Sequence, residues 1–412
     1  MPSQPPSPAD VKRIRAHFPA LASDTVFLEN AGGSQMPRIV ADRMHHYMLN
    51  SYVQLDAGYG LSREATDVVA KAHDFVGLLM NGRESGTVVL GPSCSALCQM
   101  LAHCYGDVLE AGDEIIVAET GHEANAGPWM KLAGRGLVPR IWPLDRETLT
   151  CPLEGLENLL NERTRIVAFP HVSNLLGDIV DVKEVTRLAH RHGARVVVDG
   201  VAYAPHRVMD VAAWDVDWYA YSAYKVYGPH MAALYGKSDA FADLVGPNHY
   251  FVDRSDVPYK FELGGVNHEG CAGLIALGDY LKFLAGADHE AAIDRETVCA
   301  AFGTMTDCEL PLQAKLIAYL LAKDPVALIG PKSGDRSRVG TISFVHSSLT
   351  SREVAEAAHE QNIGIRHGHM YAHRLCKAIL KDPDDGVVRI SLVHYNSLEE
   401  IDRLIDLFER IL

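Results

Sequence analysis

The run Tyr-Ser-Ala-Tyr-Lys-Val-Tyr-Gly-Pro-His at residues 221–230 sets Lys225 between an apolar, aromatic stretch and a Gly-Pro turn. Aromatic surroundings strip water from an ammonium group. They lower its pKa and favour the neutral amine, the form that condenses with a carbonyl to a Schiff base. Read alone, Lys225 is a surface lysine, as most lysines are. Its company reverses that reading. Asp199 lies 26 positions upstream in Arg-Val-Val-Val-Asp-Gly (195–200), at the end of a run that reads as a buried strand. A carboxylate ending such a strand suits a cationic ring nitrogen.

Outward from these two motifs, residues 65–280 alternate helix-period stretches with short apolar strands. The clearest strands are 86–90, 114–118, 165–170, 195–199, 218–221 and 232–235, with a helix such as 182–192 stopped by His192-Gly193. Interleaved strands and helices imply an α/β domain whose mostly parallel sheet is covered on both faces. A short amphipathic helix is expected over 9–19, and Val-Phe-Leu-Glu-Asn-Ala-Gly-Gly-Ser-Gln (26–35) reads as a strand entering a Gly-rich turn. From about 285 the rhythm changes. Helices at 289–302 and 308–323 precede strands at 339–345 and 387–392, with helices at 351–361 and 397–412, a smaller α+β unit. The expected organisation is an N-terminal arm and helix (1–25), a large domain (26–284) and a small C-terminal domain (285–412).

Composition narrows the classes of function. With 48% hydrophobic and 22% charged residues, the 412-residue chain is an ordinary globular protein able to bury a large core. A net charge of −15 argues against nucleic-acid binding. No apolar run is long enough for a membrane span, and the Pro-rich start lacks a signal core. The 8 cysteines show no zinc-type pairing, which points to a reducing cytoplasm.

The candidate side chains fall just after strands, where open α/β sheets collect ligands. Ser93 and Cys94, in Gly91-Pro-Ser-Cys-Ser95, open a helix whose free N–H groups suit a phosphate, although a Ser N-cap serves any helix. His122 either stacks on a flat cofactor or caps the helix that follows. Asn174 either bonds a ring hydroxyl or forms an Asx turn. Asp199 and Lys225 complete the set. Strand-Asp followed by Ser222-x-x-Lys225 is how pyridoxal-phosphate (PLP) enzymes hold their cofactor.

Further motifs are His122-Glu-Ala-Asn with Pro128-Trp129, Ser173-Asn174, Tyr227-Gly-Pro229, Phe261-Glu-Leu-Gly-Gly-Val-Asn267, Gly364-Ile-Arg-His-Gly368 and Arg389-Ile-Ser-Leu with Tyr395-Asn396. On these the chain resembles the class V aminotransferase group of fold-type I PLP enzymes, in its cysteine-desulfurase-like branch, from about residue 26 to the C-terminus. The resemblance implies a seven-stranded sheet sandwiched by helices, PLP as cofactor, and a homodimer with shared active sites. It implies that Lys225 holds and serves the cofactor, Asp199 pairs with its ring nitrogen, His122 stacks on the ring and Ser222 binds phosphate. Arg389 is implied as the clamp for a substrate carboxylate, with Arg366 a second anionic contact and Asn30 and Tyr371 beside the substrate. The alternative for Arg389 is a surface ion pair.

Departures from the family bear on the reaction. Tyr371 stands where desulfurases carry the loop cysteine, and a phenol cannot take sulfur as a thiolate does. Cys376 is either a displaced nucleophile or a buried structural thiol. Ala202 replaces a Gln or His at the ring oxygen, Tyr224 a His before the lysine, and Gly265 a Thr that reaches the partner's phosphate. The expected function is PLP chemistry on a small amino acid, passing through a Schiff base to its amine and a carbanion. Its outcome is C–S lyase or aminotransferase. The alternatives are a true desulfurase using a displaced cysteine, an epimerase, or a non-catalytic PLP-fold binding protein. No G-x-G-x-x-G is placed for a nicotinamide dehydrogenase.

Overall fold

The computed structural model describes residues 6, 7 and 10–412; Ala9 of the expected first helix and most of the Pro-rich start lie outside these. The central sheet has seven strands in the order Gly86–Gly91, Ala232–Lys237, Trp218–Ser222, Arg195–Asp199, Thr164–Pro170, Glu114–Ala118 and Val138–Trp142. Only Ala232–Lys237 runs antiparallel to its neighbours; all other pairs are parallel. The four middle parallel strands read as continuous apolar runs because helices cover both faces. The two faces carry separate hydrophobic clusters, one around Val196, Val198 and Tyr219, the other around Val197, Trp218 and Trp129.

A second, antiparallel sheet orders Arg366–Gly368, Val387–Ser391, Thr341–His346 and Val326–Ile329. Its core also takes Val26 and Leu28, because the strand Val26–Phe27 pairs with Ile363–Gly364. The N-terminal segment therefore belongs physically to the C-terminal unit. The two helices expected over 289–302 and 308–323 are one helix, Arg295–Leu321, which continues through Pro311. Its first half packs Val298, Phe302 and Met305 into the large core, and its second half packs Leu312, Leu316 and Leu320 into the small one. Burial on both sides of Pro311 offsets the one hydrogen bond that proline removes. The expected N-terminal helix is reduced to Val11–Arg15, with a 3-10 turn at Pro19–Ala22.

Candidate active site

Three strand ends and two helix starts converge on one cavity. Ser93, Cys94, His122, Asn174, Asp199, Ser222 and Lys225 all line it, with Ala202 and Tyr224. Asp199 and Ser222 are the last residues of their strands, and Lys225 ends a single 3-10 turn. That turn is pinned from the N-terminal segment. Ser34 donates N–H to the Tyr224 carbonyl at 3.1 Å, and its Oγ accepts the Tyr227 N–H at 2.9 Å. Tyr227 holds φ +60° and anchors its hydroxyl on the Pro205 carbonyl.

The charges in the cavity are set by burial. Desolvation, then the nearby Arg389 cation, lowers Lys225 to about 8, while Asp199 acts the other way. Burial raises the Asp199 carboxyl above the usual range, opposed by the Val201 N–H it accepts at 3.0 Å and by Lys225. His122 falls to about 4 through desolvation, Lys225 and Arg389. Of the two sequence readings of His122, the structure shows the helix cap. Its Nδ1 accepts the Ala124 N–H at 3.0 Å and caps the helix Glu123–Lys131, so the neutral ring carries its proton on Nε2.

At the helix Cys94–Val108, Ser93 Oγ caps Ala96 N–H at 3.2 Å, and the Cys94 and Ser95 amides lie in the first turn, beyond reach of any helical carbonyl. Cys94 lies 3.8 Å from the Cys98 sulfur, and that contact and burial push its thiol far up, away from nucleophilic character. Asn174 donates to the Met370 carbonyl at 2.9 Å, which leaves its buried Oδ1 with no partner. Its own carbonyl accepts from Arg389 Nη1 at 3.2 Å, and the buried Arg389 Nε has no partner either.

The remaining expected residues are placed differently. Arg366 is 51% exposed and pairs with Glu29 at 2.9 Å. Asn30 does not face the cavity as expected: its amide donates to Ser391 O at 2.7 Å and to Asn396 Oδ1, and its oxygen accepts from Tyr395. Every polar atom of that side chain is engaged in tying the N-terminal turn to the second sheet. Gly265 lies outside the cavity on an exposed turn with φ +84°. Tyr371 is 64% exposed, φ +63°, with its ring 5.4 Å from that of His122. Cys376 is fully buried against Leu175 and Leu375, its thiol pushed up to about 11 by desolvation. Sequence reasoning missed Glu29, whose only signal is its place in the turn after the first strand.

The class V aminotransferase family profile matches residues 26–404. The chain belongs to the class V aminotransferase family. It is 36% identical to the aminotransferase-like protein FGM3 of Gibberella zeae over 98% of both chains. It is 30% identical to the cysteine desulfurase of Escherichia coli O8, over 97% of this chain and 98% of that one. Among solved structures, apo cysteine desulfurase from Thermococcus onnurineus NA1 superposes with a TM-score of 0.85 at 25% identity over 99% of both chains. Cysteine desulfurase CsdA of Escherichia coli gives 0.81 at 25% identity, over 97% of this chain and 98% of that one. The α/β fold with its smaller antiparallel unit is thus the fold-type I architecture read from the sequence. The class V family is PLP-dependent, and this member's cavity fits that cofactor. The acidic strand end, the amine, the neutral imidazole wall and the unpaired helix amides offer complementary partners to a cationic ring nitrogen, an aldehyde, a flat ring and a phosphate. Among the described residues no helix is long and apolar enough to cross a membrane.

Proposed function

We propose that this class V family protein binds PLP and uses it as a lyase, eliminating a β-substituent, sulfur in the first instance, from a small α-amino acid. The observation that carries the reading is Tyr371, a phenol held against His122 where a sulfur-accepting thiol would have to stand. Neither cysteine considered for the site offers a replacement acceptor. Cys376 is sealed in the core, and Cys94 is a high-pKa thiol at the helix start.

When bound, PLP supplies an aldehyde carbon for amines and a ring that draws electron density from the substrate α-carbon. The chain's own groups do the rest. Arg389 grips the α-carboxylate, using the Nε left unpaired inside the protein. Asp199 holds a ring N–H, His122 covers the ring face, and Ser222 with the Ser93–Ser95 turn holds the phosphate. Lys225 takes the α-proton, its amine being half neutral at about pH 8. Tyr371 gives its hydroxyl proton to the departing sulfur. As a homodimer, the protein would cover Tyr250, Phe251 and Leu263, large apolar side chains exposed on the segment that leads to Gly265.

Holo protein supplied with cysteine should release sulfide and pyruvate in equal amounts, with ammonia. Sulfide with alanine would replace the lyase by a desulfurase, and amino-group exchange with a keto acid would replace it by an aminotransferase. The near-ultraviolet or visible band of the cofactor should vanish in Lys225→Ala; a pure protein that never shows the band overturns the PLP reading itself.

A further inference from the structure

The clamp that Arg389 forms contains a carboxylate of the protein's own. Arg366 and Arg389 are directly opposed residues on adjacent antiparallel strands, so their side chains leave the second sheet on one face. Like charges in that relation repel. Glu29 enters between them from the N-terminal segment: its Oε1 accepts from Arg366 Nη1 at 2.9 Å and lies 3.9 Å from Arg389 Nη2. A Cβ at Gly32 would overlap that oxygen, so the glycine makes room for the carboxylate to fold toward the arginines. Arg389 donates to the carbonyl of Asn174, which lines the same cavity as Lys225, so clamp and amine share one site.

Two arginines without Glu29 would form a double cation matched to a ligand with two acid groups. With Glu29 bound to the half-exposed Arg366, that cation is occupied. The buried Arg389, 3% exposed, keeps an unpaired Nε for a single carboxylate. We infer that Glu29 is a specificity determinant that restricts the site to amino acids bearing one carboxylate and rejects those with an acidic side chain. A second carboxylate brought to Arg366 meets Glu29, a like charge that it must displace. The inference rests on the proposed function only in taking Arg389 as the substrate's carboxylate clamp.

Calorimetric titration of the holo protein with propionate and succinate tests this without turnover. The wild type should bind succinate no more tightly than propionate. Glu29→Gln should tighten succinate by roughly tenfold or more and leave propionate within about threefold, and adding Arg366→Ala should abolish the gain. Unchanged succinate affinity in Glu29→Gln overturns the inference, and so does a wild type that already prefers succinate. A lowered Tm in Glu29→Gln with the same ligand preference would make Glu29 a structural bridge only. Loss of 4-aminobutyrate binding in that variant, with no succinate gain, would make it a cation site instead. Failure of the wild type to bind propionate removes the clamp, a result distinct from a missing cofactor band, which removes the PLP reading.

Discussion

A lysine amine at about 8 is half neutral at that pH, where one at the ordinary 10.5 is almost wholly charged. Burial is the largest cause, and the Arg389 cation adds to it. The reactive species is the neutral amine, so combination of apo protein with PLP should follow its fraction. The second-order rate constant should rise about tenfold per pH unit below pH about 8 and level off above it. Stopped-flow absorbance between pH 6.5 and 10 checks this; a rate still climbing steeply between pH 9 and 10 would show an unperturbed lysine. Asp199 and Ser222 were legible in the sequence because each ends a strand, and Lys225 because it follows one by a single turn; strand ends are written in local apolar runs. Asn30 was misread, and Glu29 went unread, for one reason. Their partners are Ser391, Asn396 and Arg366, more than 300 residues away, and only the register of the second sheet brings them together.

Among the elements, the segment from Met370 to Arg374 matters most for the proposed reaction. Three ties hold it over the cavity: Asn174 Nδ2 to the Met370 carbonyl at 2.9 Å, Glu123 N–H to the Tyr371 carbonyl at 2.9 Å, and Arg374 to both oxygens of Glu123 at 3.1 and 3.2 Å. A loop so fastened presents Tyr371 as a fixed wall. A bidentate, partly exposed arginine–carboxylate pair is worth about 1 kcal/mol. Arg374→Ala should therefore speed amide exchange over residues 369–376 about fivefold and leave the central strands unchanged. Exchange at the wild-type rate would mean that the pair does not hold the loop. These ties were invisible in the sequence, where Arg374 and Glu123 are ordinary surface charges 251 positions apart. The same distinction explains the helices. The element at 182–192 was readable from its amphipathic period and its Gly stop. The Arg295–Leu321 helix was read as two because Pro311 is a local breaker, overruled only by burial against two cores.

At the scale of the molecule, the alternating order of elements made the large domain readable. What ties it to the smaller unit is polar, buried and non-local. His394, wholly buried between the units, faces Tyr280 OH with Nε2 at 2.5 Å and Tyr227 OH with Nδ1 at 3.1 Å. Tyr227 already donates to the Pro205 carbonyl, so His394 Nδ1 carries the proton and Nε2 accepts from Tyr280. A second proton would reverse the Tyr280 bond, turning that hydroxyl proton away from the ring, and place a cation among Phe18, Tyr227, Tyr280 and Tyr395, with His206 nearby. Desolvation first, then His206, lowers His394 from 6.5 to about 3. As pH falls through about 6.5 the unfolded chain takes up this proton and the folded chain does not, until about 3. Stability is thus whole above that window and lost on acidification within it, by about 1.4 kcal/mol per pH unit for one histidine. His122 and His171, also lowered by burial, add in the same sense. His394→Gln should be less stable at pH 7. Its urea-unfolding free energy should nevertheless fall less steeply between pH 6 and 4.5 than the wild type's, by about 1.4 kcal/mol per unit. Equal slopes would show that His394 is protonated in the folded protein, against the burial that holds its pKa down.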